Sequence, residues 1–384
     1  MKKYVLKYII FFLPFLAALF VELFLLPIDF FTFRPWETLV VKDSYKILDG
    51  PFYPRMTLVK TEKEGDLRPS PACAVAKKDL LWQTDAYGYR KAASSRTRYP
   101  IIIIGDSNTV GSGLSQPDTI SEVLQRRLGK DVYPLAPALP GHIFRHGLLK
   151  QHKPEVIILQ SIERNIMPGH LPVPPVADFQ PLSVKDRIIW SVRLHPVVQK
   201  AAIKLDRALK SNMIHFIKAR INPQPARAGD NIEEETCPVL FLQSIVPRMD
   251  IPDEVRQKTV DEIKELNDLF TLKGIRFIFL PVPNKENIYH RLLGVPRPVY
   301  LEKLISELRL AGVEVADTQG EFDKITRETG TPLYHRDDTH WNTAGVEAAA
   351  ALVTEILQKP APAAKNKPLP GYQNDCPAIQ NAGS

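Results

Sequence analysis

Two short clusters, far apart in the chain, hold the residue types that acyl transfer requires. Gly105-Asp106-Ser107-Asn108 offers a hydroxyl, and Asp337-Asp338-Thr339-His340-Trp341-Asn342 offers an imidazole next to two carboxylates. A serine hydroxyl is a weak nucleophile at neutral pH. It needs a base within hydrogen-bond reach, and that base needs an acidic partner to set its tautomer. The Asp-rich turn supplies both. Taken alone, each cluster has a plainer reading, since Ser107 could cap a turn and Asn342 or Thr343 could cap a helix.

The surrounding elements place the two clusters in one domain. Ile101–Ile104 is a short continuous apolar run, as expected of a strand buried on both faces of a parallel sheet, and Ser107 follows its carboxyl end. Helices are expected near 117–129, 142–152, 253–273, 297–311 and 343–358, with strands near 131–135, 155–160, 275–281 and 313–316. This alternation predicts an α/β fold, a doubly wound parallel sheet sandwich, in which sites form at the carboxyl ends of the strands.

The order nucleophile, then Asp and His, resembles the SGNH, or GDSL-type, hydrolase superfamily over about residues 82–358. Its first block looks like Gly105-Asp106-Ser107 and its last, Asp-x-x-His, looks like Asp337-Asp338-Thr339-His340. For the second block the resemblance selects Gly141, in Pro140-Gly141 after Tyr133-Pro134-Leu135, as an oxyanion N–H. A helix-initiating glycine would look the same. The third block departs from the family's Gly-x-Asn-Asp: here Ile157-Ile158-Leu159-Gln160 runs into Ser161-Ile162-Glu163-Arg164-Asn165, leaving Asn165, Arg164 or Ser161 as candidate oxyanion donors.

A nearer likeness is to the alginate O-acetyltransferase-like branch, through Asp338-Thr339-His340-Trp341, the loop Pro281-Val282-Pro283-Asn284-Lys285-Glu286-Asn287-Ile288-Tyr289, and Thr84-Asp85-x-x-Gly88-Tyr89-Arg90. The two alignments disagree on the acid that orients His340. Asp-x-x-His selects Asp337 and Asp-Thr-His-Trp selects Asp338; the Ser-first order favours Asp337. Lys285 is expected either to grip substrate or to form a surface ion pair.

The chain has 384 residues, 44% hydrophobic and 24% charged, which fits a globular protein rather than a disordered one. The run from Tyr8 to about Phe33 is interrupted only by Glu22 and Asp29 and is preceded by Lys2, Lys3 and Lys7. It predicts a single transmembrane anchor within residues 1–33, with the amino terminus cytoplasmic, so the rest would lie outside the inner membrane, in the periplasm. No small-x-small cleavage site follows the run. Glu22 is expected near the outer interface. Residues 34–98 read as an extended connector, 99–358 as the catalytic domain with an insertion at about 167–237, and 359–384 as a flexible Pro/Ala-rich tail.

Residues 185–228 hold ten Lys or Arg against Asp186 and Asp206, interleaved with apolar residues, and account for the chain's net charge of +7. A basic helix pair of this kind suits anionic lipid or an anionic polymer, or is a solvated face; nucleic acid is not expected. Cys73, Cys237 and Cys376 permit one disulfide at most and have no zinc spacing. His142 and His146 lack a third ligand, no phosphate-binding glycine loop occurs, and no metal or cofactor is expected.

These readings converge on a serine esterase or O-acyltransferase that takes an ester or acyl donor and adds acetyl to, or removes it from, an envelope or secreted polysaccharide. The alternatives are a membrane-surface esterase or lysophospholipase, and a catalytically silent glycan-binding or assembly subunit.

Overall fold

The computed structural model describes residues 2–42, 47–62, 65–67, 78–174, 178–221, 226–228, 239–242 and 251–361. The strands are β1 (Thr57–Glu62), β2 (Lys78–Gln83), β3 (Ile101–Ile104), β4 (Val132–Leu135), β5 (Val156–Ile162), β6 (Ala226–Ala228), β7 (Leu240–Leu242), β8 (Arg276–Val282) and β9 (Glu314–Val315). The helices are α1 (Lys2–Phe20), α2 (Pro35–Leu39), α3 (Ser107–Val110), α4 (Ile120–Leu128), α5 (Val184–Arg193), α6 (Pro196–Lys210), α7 (Asn212–Ile221), α8 (Asp253–Leu272), α9 (Lys285–Ile288), α10 (Tyr300–Leu310), α11 (Thr318–Thr329) and α12 (Thr343–Gln358).

The central sheet has the order β4-β3-β5-β8-β9, with every pairing parallel. Alternate strand residues feed two cores. Ile102, Ile104, Ile157, Leu159 and Phe279 pack with α8 and α10, whereas Ile101, Ile103, Ile158, Ile278 and Leu280 pack with α4, α11 and α12. All four residues of β3 and all seven of β5 are buried, as a strand covered on both faces requires. The chain runs from β3 outward to β4, then crosses back to β5 on the other side. The order therefore reverses beside the end of β3, where open α/β sheets leave a crevice.

Residues 34–98 do not run as an extended connector. They contain α2 and the antiparallel pair β1–β2, and they bury a third core that reaches the main domain at Val110 and Ala136 and α6 at Ala202. Trp82 and Phe52 meet edge to face at 5.3 Å, and the Arg90 guanidinium lies 3.9 Å over the Trp82 ring. Arg90 also donates to the carbonyls of Val110 (3.0 Å) and Leu114 (2.6 Å), so it fixes the chain just beyond α3. The Thr84–Arg90 motif is thus a brace: Asp85 accepts from the N–H groups of Tyr87 and Tyr89 and from the Tyr133 hydroxyl, and Arg90 grips the turn that carries Ser107.

The basic insertion forms the helices α5–α7, with Lys185, Arg187, Lys200, Lys204 and Lys218 exposed, and its end at β6 pairs antiparallel with β7. The helix expected at 142–152 is instead two short 3₁₀ turns, Pro140–Phe144 and Leu149–Gln151. Between them Gly147 lies under the Trp190 ring, where a Cβ would come within 2.4 Å. Cys73, Cys237, Cys376 and the tail from residue 362 lie outside the described residues.

The membrane anchor, and with it the single-pass inner-membrane localisation, is corrected. No helix among the described residues is long and apolar enough to cross a membrane. α1 ends at Phe20, contains Pro14 and begins with Lys2, Lys3 and Lys7, so its uncharged part from Tyr8 spans only about 20 Å against a hydrocarbon thickness of about 30 Å. The chain then enters a π turn, Val21–Leu25, and Glu22 is 4% exposed. Rather than facing an interface, its carboxylate accepts from the N–H of Asn212 (2.7 Å) and the Ser211 hydroxyl (3.1 Å), capping the start of α7 from another part of the chain.

Replacing Arg90 by Leu leaves the Val110 and Leu114 carbonyls without their donor and removes the stacking on Trp82. Denaturant unfolding should register a loss of about 2–4 kcal/mol.

Candidate active site

Ser107 is the first residue of α3, directly after β3. Asp106 caps that helix by accepting from the Asn108 N–H at 2.8 Å, and its other oxygen accepts from the Ile162 N–H at 2.7 Å, joining the ends of β3 and β5. Gln160 accepts from the Asp106 N–H (3.1 Å) and the Thr109 hydroxyl (2.7 Å). A Cβ on Gly105 would lie 2.2 Å from the Thr109 hydroxyl and 2.5 Å from the Gln160 oxygen, so only glycine lets these groups close over the turn. The third block thus supports the Ser107 turn from below through Gln160, a role not seen in the sequence.

His340 reaches this turn from the loop before α12. Its Nε2 lies 2.7 Å from the Ser107 hydroxyl oxygen, across 233 positions of sequence, and its Nδ1 hydrogen-bonds Asp338. Asp338 also accepts from the His340 backbone N–H at 2.9 Å. A carboxylate accepts only, so Nδ1 carries the proton and the Nε2 lone pair faces the serine hydroxyl. Burial opposes charge on both partners, but their mutual attraction and hydrogen bond outweigh it. Asp338 is held well below the usual carboxylate range, and His340 is raised above its ordinary value.

The preference for Asp337 is therefore corrected to Asp338. Asp337 turns away and accepts from the Gly65 N–H at 2.6 Å. The position immediately before Thr339-His340 is the one from which a carboxylate can fold back on both the backbone and the ring of His340.

Lys285 is corrected as well, being neither a substrate grip nor half of a surface ion pair. It is 1% exposed, and its ammonium donates to the carbonyls of His335 (2.6 Å), Arg336 (2.9 Å) and Asp338 (3.1 Å), tying down the loop that presents His340. Burial pushes its pKa down to about 8. His335, beside it, accepts from the Lys78 ammonium at 2.8 Å; burial and that charge hold it neutral, down to about 3.

Gly141 lies buried in the 3₁₀ turn after β4. Neither its N–H nor that of Ser107 has a hydrogen-bond partner among the described residues. Asn165 is exposed at the end of β5, and Arg164 is half-buried with its charge opposing the rise in the His340 pKa. Ser161 is buried within β5. His142 and His146 serve local structure: His142 accepts from the Leu139 N–H at 2.9 Å, and His146 is buried beside Tyr133.

Asp66, which sequence reasoning missed, stands beside the pair. With Asp338 and His340 it brings three ligand-type atoms within 4.8 Å. Both Asp66 oxygens accept from Thr339, and Asp338 and His340 bind each other, so the donors of this cluster are committed to one another rather than to a cation.

Residues 240–378 match the family model described as the SGNH hydrolase-like domain of acetyltransferase AlgX. The matched stretch is about a third of the chain and contains Lys285, Asp338 and His340; Ser107 lies before it. No curated protein matches the chain.

Lys285 titrates at about 8 when folded and near 10.5 when unfolded, so between these values the unfolded chain holds the extra proton. Its burial penalty is thus fully present below about pH 8 and is relieved as pH rises towards 10.5. Denaturant melts of wild type and Lys285→Met should show the stability difference shifting in favour of wild type across that window.

Proposed function

We propose, on the premise of an AlgX-type SGNH hydrolase-like domain at residues 240–378, that this protein is a serine O-acyltransferase with accompanying esterase capacity, acting on acetyl esters of a polysaccharide. Ser107 is the nucleophile, His340 its base and Asp338 the residue that orients and stabilises the imidazolium. The observation that carries this reading is the 2.7 Å approach of His340 Nε2 to the Ser107 hydroxyl, backed by a buried, ionised Asp338 on Nδ1.

The proton of the Ser107 hydroxyl passes to His340 as the oxygen bonds the acyl carbon. The imidazolium then returns it to the departing alcohol. The unpartnered N–H groups of Ser107 and Gly141 are the donors for the oxyanion, and each such donor typically contributes about 3 kcal/mol of barrier lowering. Asn165, turned to solvent, is poorly placed for this role. The acyl-serine then passes its acetyl group to a sugar hydroxyl or to water. The acetyltransferase match favours transfer over hydrolysis. The exposed lysines of α5–α7 would suit an anionic polymer.

Incubating the protein with an activated acetyl ester should give a mass shift of one acetyl group on the peptide containing Ser107, absent in Ser107→Ala and in His340→Ala. Asp338→Asn should cut the acylation rate roughly 10⁴-fold, whereas Asp337→Asn, which leaves the His340 ring contact intact, should cost far less. Absence of acetyl-Ser107 in wild type, or an adduct that persists in His340→Ala, would overturn the assignment.

A further inference from the structure

Asp66 comes from the segment between β1 and β2, some 270 positions before His340. Its backbone N–H donates to the free oxygen of Asp338 at 3.1 Å. Its carboxylate accepts from the Thr339 N–H (2.8 Å) and the Thr339 hydroxyl (2.6 Å), and one of its oxygens lies 3.7 Å from His340 Nδ1. The neighbours on either side complete the clamp: Gly65 N–H donates to the Asp337 carboxylate and Leu67 N–H to the Asp337 carbonyl, at 2.6 and 3.0 Å. A Cβ on Gly65 would sit 2.2 Å from the Asp337 carbonyl oxygen, so the close approach requires glycine.

We propose that Asp66 is a second carboxylate on the His340 imidazole, a positioning residue that acts through His340, so that the active site is complete only when segment 65–67 closes on the 337–340 loop. The proposal rests on the reading of Ser107 and His340 given above. As Ser107 transfers its proton, the imidazolium gains a second negative neighbour. Asp66 does not receive that proton, since its nearer oxygen lies 3.7 Å from His340 Nδ1, beyond hydrogen-bond reach.

The charged groups facing Asp66 come from every side. Asp338 repels it, while His340, Arg34 at the start of α2, and Lys285 from α9 attract it. Burial first, and Asp338 second, raise Asp66 to about 6, within the range where an esterase is assayed. Above that pH Asp66 is anionic and supports protonated His340; below it the support is withdrawn. Removing the carboxylate therefore lowers the His340 pKa and weakens the imidazolium at the same time.

The test is an NMR titration of His340 in the full chain, wild type against Asp66→Asn, together with pH profiles for hydrolysis of an activated acetyl ester. His340 should titrate at lower pH in Asp66→Asn, and the acid limb of kcat/KM should move to lower pH with it. At pH 8 kcat should fall roughly tenfold with KM unchanged. Asp66→Glu, which keeps the charge, should recover most of both effects. Should Asp66→Asn fail to fold, Asp66→Ser carries the same comparison, retaining a small polar group for Thr339. An unmoved His340 titration in a folded variant overturns the proposal, as does a loss of rate without a shift in the acid limb, which a merely structural role would produce. The NMR arm needs no turnover, so a wild-type protein that never acylates Ser107 would refute the function above and still leave the Asp66–His340 coupling decided.

Discussion

A buried imidazole–carboxylate pair is the interaction on which the rest of this structure depends. Desolvating two ionisable groups costs several kcal/mol each unless the remaining lone pairs and protons find partners. Asp338 is 1% exposed and His340 6%. One Asp338 oxygen takes the ring and backbone N–H of His340, and the other takes Asp66 N–H. The carbonyls of the same loop are taken by Lys285, and Asp337 by Gly65 and Leu67. Satisfying one pair thus recruits α9, the 65–67 segment and the turn after β3, and fixes where each must lie.

The serine side obeys the same rule. Ser107 stands at a strand end where the sheet order reverses, and a tight turn there leaves backbone N–H groups to satisfy. Asp106 takes two of them, from Asn108 and Ile162, while Gln160 takes the N–H of Asp106 itself. Arg90, stacked on Trp82, holds the carbonyls on the far side of α3. The hydroxyl is therefore the end of a chain of contacts that begins in the β1–β2 region. That region is part of the architecture that positions Ser107 rather than a spacer.

What the sequence made legible were features with local causes. The apolar run Ile101–Ile104, the Gly-Asp-Ser turn after it and the Asp-Thr-His turn before α12 each follow from neighbouring residues, and the alternation of elements yields the parallel sheet. The features that escaped are set by distant partners. Asp337 and Asp338 are equivalent by type and nearly by position; only the backbone path of the loop, clamped from residue 65, decides which meets the ring. Lys285 looks like a surface lysine until three carbonyls converge on it. Glu22 interrupts an apolar run that reads as a membrane span, yet its carboxylate is used to cap α7, 190 positions away. The expected helix at 142–152 is replaced by two 3₁₀ turns, with Gly147 between them against Trp190 of the insertion, where no Cβ would fit.

The distribution of these partners limits what any one stretch of the chain can do. The AlgX-like stretch at 240–378 holds His340, Asp338 and the lysine that ties their loop, whereas the hydroxyl that His340 meets, that of Ser107, and the Gly65 N–H that Asp337 accepts both lie before it. Loop closure over such distances adds only slowly growing entropy, about 0.6 kcal/mol for each doubling of length, so separation in sequence is a small obstacle once the contacts are strong. The strong contacts are the charge-assisted ones at Asp338, Asp66 and Lys285. The groups that make the chemistry feasible are thus also those that bring three remote segments together, and weakening the first would loosen the second.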